Sequence, residues 1–172
     1  MFPERIYLLG MPGSGKSTLS KQLAKEINYH FFDLDEWIVQ DERNSISEIF
    51  AIKGEEYFRE IERKALLHSL TLQKTVIATG GGTPCFYDNM QVIKSNGFSI
   101  FLDVPLEVIA QRVSKEIKTR PLLNTDNKEV IEQLIEKYNH RLPFYRQASL
   151  TISGANLSVK DILQWLIYMD RV

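Results

Sequence analysis

The segment "RIYLLGMPGSGKS", from Arg5 to Ser17, decides the fold that this sequence can adopt. Its β-prone start predicts a strand, and "GMPGSGKS", Gly10 to Ser17, matches the pattern G-x-x-x-x-G-K-[ST] at the start of the helical "STLSKQLAKEI". In such a turn, backbone N–H groups and the helix N-terminus hold phosphate oxygens. A chance glycine turn is the alternative, but both flanking elements match the phosphate-binding arrangement. The segment therefore predicts the phosphate-binding loop of an α/β protein.

The loop pattern assigns chemistry to individual residues. Lys16 is expected to reach the β and γ phosphates of a bound nucleotide, and the Ser17 hydroxyl to contact Mg²⁺. Glycines in the loop let its backbone approach the phosphates closely. The predicted nucleotide-binding residues are Gly13, Ser14, Gly15, Lys16, Ser17 and Thr18. The pattern leaves the acceptor of the phosphoryl group open among water, protein, nucleotide and small metabolite.

Composition narrows the class of protein. The chain has 172 residues with 44% hydrophobic content, which predicts one compact domain over residues 1–172. A net charge of −1, with both signs interspersed, offers no broad field for nucleic acid or an anionic membrane, and a monomer is expected. The single cysteine, Cys85, cannot form an internal disulfide, and "MFPERIYLL" lacks the features of a secretory signal. These observations favour a cytoplasmic protein that acts on small molecules.

Strand-like and helix-like segments alternate along the chain. The predicted strands are "RIYLL", "YHFFD", "TVIAT", "FSIFLD" and "SLTIS", with helical patterns between them. This alternation predicts an α/β fold of three layers, in which a central five-stranded parallel sheet is flanked by helices. A long helical insertion separates the second and third strands and consists of two segments, "SISEIFAIKG" and "EEYFREIERKALLHSL". A polar, proline-broken loop, "TRPLLNTDN", follows the fourth strand and its helix.

A second acid for Mg²⁺ is expected near the phosphate-binding loop. The third strand runs into Gly80–Gly82 without one, which leaves Asp33, in "HFFDLDEW", and Asp103, in "SIFLD". Asp103 could instead cap the helix that follows it. A strand has period two, so Asp33 and Asp35 are predicted to point the same way, Asp33 to the metal and Asp35 to an attacking hydroxyl. The alternative is that this pair marks a turn, with Asp35 capping the next helix.

Together with "FREIE", "TGGGT", "TRPLL" and "HRLPFY", these motifs occur in an order and spacing that resemble the shikimate kinase family, of the bacterial and plant type. That family has the nucleoside monophosphate kinase fold of the P-loop NTPase superfamily, and the resemblance runs from Arg5 to about Ser153. It implies ATP- and Mg²⁺-dependent phosphorylation of the shikimate 3-hydroxyl. The products would be 3-phosphoshikimate and ADP, a step toward chorismate and the aromatic amino acids.

The resemblance also implies roles on the substrate side. Asp33 would help to hold Mg²⁺, and Asp35 would bind shikimate hydroxyls and act as the base. Arg59, oriented by Glu62, and Arg141 would grip the shikimate carboxylate, which suits the bidentate fork of guanidinium. Without the resemblance, Arg59 could belong to an ordinary surface network of helix charges, and Arg141 could be a solvated helix arginine.

The resemblance further implies roles for the glycine run, for two longer segments and for the adenine contact. Backbone amides of Gly81 and Gly82 would approach the substrate, and the substrate-binding insertion would span about residues 34–62. The lid would span about residues 113–127 and place Arg120 over the transferring phosphate, while Arg112 would pack on adenine. The catalytic residues implied in this way are Lys16, Asp35 and Arg120.

Two rival functions stay open from the sequence. A gluconate kinase or another small-metabolite kinase would share the phosphate-binding loop but should lack the paired aspartates with Arg59 and the glycine run. A relative that binds nucleotide without catalysis would be expected to lose the charged site residues, which this chain retains. A regulatory GTPase is disfavoured because the sequence has no N-K-x-D guanine signature.

Overall fold

A computed structural model describes residues 2–118 and 127–169, and for residues 114–118, 127–130 and 169 it describes the backbone alone. Five strands alternate with seven α-helices and one short 3₁₀ helix, Thr83–Cys85, across these ranges. In chain order the strands and α-helices are β1 Arg5–Leu9, α1 Lys16–Glu26, β2 His30–Asp33, α2 Leu34–Glu42, α3 Ile46–Ser69, β3 Thr75–Ala78, α4 Asn89–Asn96, β4 Phe98–Asp103, α5 Leu106–Lys118, α6 Asn127–Tyr145, β5 Leu150–Ser153 and α7 Val159–Met169.

All strands are parallel and form one sheet in the order β2-β3-β1-β4-β5, which confirms the predicted fold class. Strand β1 is central, with Tyr7 paired to Ile77 of β3 and to Ser99 of β4. Because the strands run the same way, their carboxyl ends meet at one edge, where ligands of open α/β sheets bind. The phosphate-binding loop, the glycine run and Asp33 all lie along this edge.

The sheet buries apolar side chains on both faces, as expected for parallel strands covered by helices. On one face, Tyr7 and Leu9 pack in a core with residues of α2 and α3. On the other face, Ile6 and Leu8 pack with residues of α1 and α7. This alternation along β1 follows from the two-residue period of a strand. The two cores hold the helices that carry the charged side chains of the site.

Helix α3 is kinked at Gly54, whose backbone dihedral angles are φ 81° and ψ 175°. The sequence predicts two helical segments here, and the kink separates them. Residues eight apart in a straight α-helix lie about 12 Å apart along its axis, yet the rings of Phe50 and Phe58 are 4.5 Å apart between centroids. The kink therefore folds the first segment back toward the second, close to Arg59.

None of the helices in residues 2–118 and 127–169 combines the length and the apolar character that a bilayer crossing requires.

Candidate active site

The phosphate-binding loop connects the end of β1 to the start of α1. Gly13 and Gly15 have φ angles of +80° and +94°, in the left-handed region that side chains disfavour. Lys16 begins α1, so the positive end of the helix dipole lies at the loop. A cavity of about 300 Å³ adjoins the loop and is lined by Pro12, Gly13, Gly15, Lys16, Ser17, Thr18, Asp35, Thr79 and Gly81.

Lys16 folds back over the loop that precedes it. Its side chain is buried, and Nζ donates hydrogen bonds of 2.9 Å to the carbonyl oxygens of Gly10 and Met11. Burial lowers the pKa of Lys16 to about 8, although the carboxylates of Asp35 and Asp33 oppose this shift. A buried ammonium group that bonds to neutral carbonyls can exchange these partners for anionic phosphate oxygens.

Ser17 and Asp33 meet at the carboxyl edge of the sheet. The Ser17 hydroxyl donates to Asp33 Oδ2 at 2.6 Å, while Asp33 Oδ1 accepts from the backbone N–H groups of Asp35 and Glu36 at 2.9 and 3.3 Å. Asp33 is therefore the N-cap of α2 as well as the partner of Ser17. Both side chains offer the oxygen ligands that Mg²⁺ prefers.

A metal ion at this site would have few protein ligands among the described residues. Within residues 2–118 and 127–169, no three or more His, Cys, Asp or Glu side chains cluster as a metal site. Mg²⁺ in phosphate-transfer sites usually takes one or two protein oxygens and fills its shell with water and phosphate. The pair of Ser17 and Asp33 fits that requirement.

Asp35 does not share a strand with Asp33, so the period-two reasoning is wrong. Strand β2 ends at Asp33, and Asp35 lies in the first turn of α2. The turn alternative is also wrong in its detail, because Asp33 caps the helix and Asp35 does not. Asp35 nevertheless lines the cavity beside Lys16. The helix start, rather than strand alternation, brings the two carboxylates together.

The environment of Asp35 makes its carboxylate more basic than that of an exposed aspartate. Burial raises its pKa to about 6, and the carboxylates of Asp33 and Glu62 add to the shift, while Lys16 and Arg59 oppose it. A carboxyl group with a pKa near 6 is a stronger base than an exposed aspartate and remains largely ionised at neutral pH. Asp35 can therefore accept a proton from a hydroxyl group placed in the cavity.

Asp103, the other candidate acid, does not line the cavity at the loop. Its Oδ1 accepts a 2.9 Å hydrogen bond from Tyr138, and its Oδ2 accepts a 3.3 Å bond from Ser153. Both carboxylate oxygens are thus engaged by side-chain hydroxyls rather than by N–H groups of α5, so Asp103 does not have the alternative role of capping that helix. Asp103 instead links β4 to α6 and β5.

Arg59 and Glu62 form a buried ion pair on α3. Arg59 is 8% exposed and Glu62 is 1% exposed, which excludes the ordinary surface network that the helix spacing also allowed. Arg59 Nη1 donates to Glu62 at 2.8 Å, and Arg59 also bonds to Glu55 at 3.0 and 3.2 Å. The ring of Phe86 lies 3.9 Å from Arg59 Cζ. These contacts hold the guanidinium plane in one orientation.

Thr83 completes the surroundings of Glu62 and was missed by the sequence analysis. Its buried hydroxyl donates to Glu62 Oε1 at 2.6 Å, across 21 residues of sequence. The Thr83 carbonyl in turn accepts from Asn89 at 2.9 Å. The only local signal was the position of this threonine directly after the glycine run.

The glycine run makes room for charged side chains. A Cβ atom added at Gly80 would lie 2.6 Å from Glu62 Oε1, and one at Gly82 would lie 2.6 Å from Arg59 Nη1. At Gly81 it would meet Pro12 Cδ at 2.7 Å and Arg141 Nη1 at 2.9 Å. Real Cβ atoms do not approach other atoms this closely. The absent side chains therefore allow two guanidinium groups and a carboxylate to reach the end of β3.

Arg141 lies on α6 beside Gly81. Its Nη1 atom is buried and has no hydrogen-bond partner within the described part of the chain. Because this atom is buried, Arg141 is not a fully solvated helix arginine. An unpaired buried donor costs about 1–3 kcal/mol, and more on a cation. An anionic ligand at the end of β3 would satisfy it.

Arg112 connects two loops on the other side of the phosphate-binding turn. Its Nη1 donates to the Gly13 carbonyl and its Nη2 to the Ala155 carbonyl, both at 3.0 Å. It borders a cavity of about 510 Å³ that is also lined by Gly13, Ser14, Gly15, Thr18, Leu19, Gln22, Leu157 and Ser158. Arg120 lies outside the described residues, as does most of the predicted lid.

The fold and the site together define a P-loop kinase for a small molecule. The phosphate-binding loop follows the central strand of a parallel sheet, and an acid–guanidinium cluster faces the same edge. Residues 12–169 match the family model described as shikimate kinase. The chain belongs to the shikimate kinase family.

Proteins described as shikimate kinases align with this chain over nearly their whole length. The chain is 39% identical to a shikimate kinase of Parabacteroides distasonis over 155 residues, which is 90% of each chain. It is 42% identical to one of Clostridium botulinum over 154 residues, 89% of each chain. Among solved structures, it superposes on shikimate kinase from Bacteroides thetaiotaomicron with a TM-score of 0.89 and 34% identity, covering 99% of both chains.

A further solved structure contains a ligand. Shikimate kinase from Acinetobacter baumannii, in complex with shikimate, superposes on this chain with a TM-score of 0.84 and 32% identity. The match covers 96% of this chain and 92% of that one.

Proposed function

We propose that this shikimate kinase family member transfers the γ-phosphoryl group of ATP to the 3-hydroxyl of shikimate, giving 3-phosphoshikimate and ADP. One observation carries the proposal: Asp35 and Gly81 line the cavity of the phosphate-binding loop, and the buried Arg59 and the buried Nη1 atom of Arg141 reach the same glycine run. A phosphate site and an anion site therefore adjoin at one sheet edge. A hydroxylated acid is the acceptor that such a pair of sites suits.

ATP is expected to bind with its phosphates on residues 13–18. Lys16 would leave the carbonyl oxygens of Gly10 and Met11 and donate to the β and γ phosphates. The adenine ring would occupy the cavity bordered by Arg112 and Leu157. Guanidinium groups stack well on flat rings, which supports this placement.

Ser17 and Asp33 would hold Mg²⁺, since their oxygens are adjacent and their chemistry suits a hard cation. When bound, Mg²⁺ supplies neutralisation of the charge that develops on the phosphoryl group. The capping bonds to Asp33 Oδ1 would keep this carboxylate in place.

Asp35 would orient the acceptor hydroxyl and take its proton. The hydroxyl oxygen attacks the γ-phosphorus, the bond from that phosphorus to the β–γ bridging oxygen breaks, and the electron pair leaves with ADP. The proton of the hydroxyl passes to the Asp35 carboxylate. The raised pKa of Asp35, near 6, supports this role because the group is ionised at neutral pH and still basic.

The carboxylate of the acid would lie between Arg59 and Arg141. Glu62 and Glu55 orient Arg59, while Arg141 Nη1 lacks a partner among the described residues. The amides of Gly81 and Gly82 would contact the same ligand. We further propose residues 34–62 as the acid-binding insertion and residues 113–127 as a lid that carries Arg120.

We also propose that the enzyme is a cytoplasmic monomer, which is supported by a net charge of −1 with both signs interspersed and by the use of ATP as co-substrate. The test is an assay of ADP release coupled to a spectrophotometric readout, with shikimate and gluconate as acceptors and mass spectrometry of the products. We expect turnover with shikimate and none with gluconate, and loss of turnover in Lys16→Ala. Turnover with gluconate alone, or ATP binding without transfer to either acceptor, would contradict the proposal.

A further inference from the structure

Tyr145 is a buried tyrosine of the site to which neither the sequence motifs nor the proposed mechanism assigns a role. It is the last residue of α6, is fully buried, and stacks on Phe101 of β4 with 4.9 Å between ring centroids. Its hydroxyl donates to the Gly81 carbonyl oxygen at 2.5 Å. The sequence separation of 64 residues means that this bond joins two distant parts of the chain at the glycine run.

The bond fixes the orientation of one peptide group. A trans peptide is planar, and its carbonyl and N–H point in opposite directions. With the Gly81 carbonyl held toward Tyr145, the N–H of Gly82 points away from α6. Within the described residues, that N–H donates to no backbone carbonyl. Glycine lacks a side chain to restrict its backbone, so the Gly81–Gly82 peptide would otherwise rotate easily.

The same tyrosine lies one helical turn after Arg141. Residues four apart share one face of an α-helix, and a Cβ atom at Gly81 would lie only 2.9 Å from Arg141 Nη1. The hydroxyl of Tyr145 thus anchors the helix face of Arg141 directly to the glycine beside it. Burial raises the pKa of Tyr145, and the positive charge of Arg141 opposes this shift, so the hydroxyl keeps its proton for the Gly81 carbonyl.

We propose that Tyr145 is a positioning residue for the acid substrate, which orients the Gly82 N–H and holds Arg141 at the glycine run through its bond to the Gly81 carbonyl. The inference rests on the proposed function, because it assumes that the acid binds at Gly82 and Arg141. Tyr145 itself does not contact the reacting atoms.

The test compares Tyr145→Phe with Tyr29→Phe. The first change removes only the hydroxyl and keeps the ring on Phe101. The second also removes a hydroxyl that donates to a backbone carbonyl, that of Phe2 at 3.1 Å. Tyr29 directly precedes β2 and lies at the opposite end of that strand from the catalytic edge. For each variant the KM for shikimate at saturating ATP, the KM for ATP at saturating shikimate, kcat and the Tm are measured.

In Tyr145→Phe we expect the KM for shikimate to rise about fivefold or more and the KM for ATP to stay within about twofold, since one substrate contact is disordered. Tyr29→Phe should leave both values within about twofold, because it is remote. An unchanged KM for shikimate, or equal rises in both KM values, would overturn the positioning role. Failure of the proposed function is distinct, because unmodified protein would then not phosphorylate shikimate.

A second measurement does not depend on the folding of a variant. In a crystal structure of the unmodified protein with shikimate, the Tyr145 hydroxyl should still bond to the Gly81 carbonyl. The Gly82 N–H should then lie within about 3.2 Å of a shikimate oxygen, the usual hydrogen-bond limit. A flipped Gly81–Gly82 peptide, or an acid bound away from Gly82, would overturn the inference.

Discussion

Ser17 at the start of α1 and Asp33 at the end of β2 share a 2.6 Å hydrogen bond, although β3 lies between β2 and the central strand that leads to α1. This contact spans the end of β3, whose last residue, Ala78, is paired with Asp33. The phosphate-binding loop and the capped start of α2 therefore meet directly. This contact supports the proposal that the acid for Mg²⁺ comes from β2 rather than from the neighbouring strand.

The capping role of Asp33 and its proposed role as a Mg²⁺ ligand can be separated by Asp33→Asn. Asparagine is as good an N-cap as aspartate, so the Tm should change little. The neutral amide is a poor ligand for Mg²⁺, and we expect the Mg²⁺ concentration for half-maximal activity to rise about tenfold or more. Titration of activity against MgCl₂ checks this. Asp33→Ala, which also removes the cap, should lower the Tm; an unchanged Mg²⁺ requirement in both variants would remove Asp33 from the metal site.

The activity should depend on pH through Asp35 and Lys16. The raised pKa of Asp35, about 6, predicts that kcat/KM for shikimate falls as the pH drops through that value and the base becomes protonated. The lowered pKa of Lys16, about 8 in the free enzyme, predicts a fall in kcat/KM for ATP above that pH, as its positive charge is lost. Initial rates between pH 5 and pH 9.5, about the usable range of such assays, would show both limbs.

Asp35→Asn is the control for the acidic limb. This variant should lose about 100-fold or more in kcat, because a positioned base contributes that order of rate, while ATP binding should persist. Its remaining activity should no longer fall near pH 6. Near-normal kcat in Asp35→Asn would mean that another group takes the proton.

The Thr83 hydroxyl should stabilise the fold through Glu62. Thr83→Val removes a donor from a buried carboxylate that accepts a 2.6 Å bond. We expect a loss of about 1–3 kcal/mol in the free energy of unfolding, the usual cost of leaving a buried acceptor unpaired. Thr83→Ser keeps the hydroxyl and should lose clearly less. Urea denaturation measures both, and equal losses would mean that packing of the methyl group, rather than the hydrogen bond, matters at this position.

Arg59 lies so close to Gly82 that Gly82→Ala is predicted to weaken binding of shikimate. Gly82 has a φ of −90°, which any residue can adopt, so backbone strain does not contribute. The new methyl group would lie 2.6 Å from Arg59 Nη1 and would displace the guanidinium. We expect the KM for shikimate to rise about tenfold, the cost of one misplaced bidentate contact. A normal KM in this variant would place the carboxylate of the acid elsewhere.

Gly54→Ala provides the contrast to Gly82→Ala. Nothing lies within 4 Å of a Cβ atom at Gly54, but its φ of +81° disfavours a side chain. Its ψ of 175° places Gly54 in a backbone region that essentially only glycine occupies, so we expect a stability loss of about 1–3 kcal/mol from backbone strain without steric displacement of Arg59. Thermal unfolding of both variants separates the two causes.

The sequence by itself determined the elements that depend on local chemistry. All five strands, the phosphate-binding loop and the two segments of α3 could be predicted because period, turn residues and helix caps act within a few residues. The sequence predicts Asp35 at the site, but for the wrong reason. Whether Asp35 extends the strand or begins a helix depends on which residue caps that helix. The Asp33 carboxylate caps α2, so the strand ends at Asp33 and Asp35 lies in the helix.

The tertiary structure alone decided which of the charged residues are buried and what they contact. Helix spacing could not distinguish a surface pair from the buried pair of Arg59 and Glu62, because burial depends on the packing of α3 against the sheet. The Thr83 and Tyr145 hydroxyls reach partners 21 and 64 residues away, and the space at Gly80–Gly82 is filled by side chains of other elements. Such contacts exist only once the parallel strands bring their carboxyl ends to one edge.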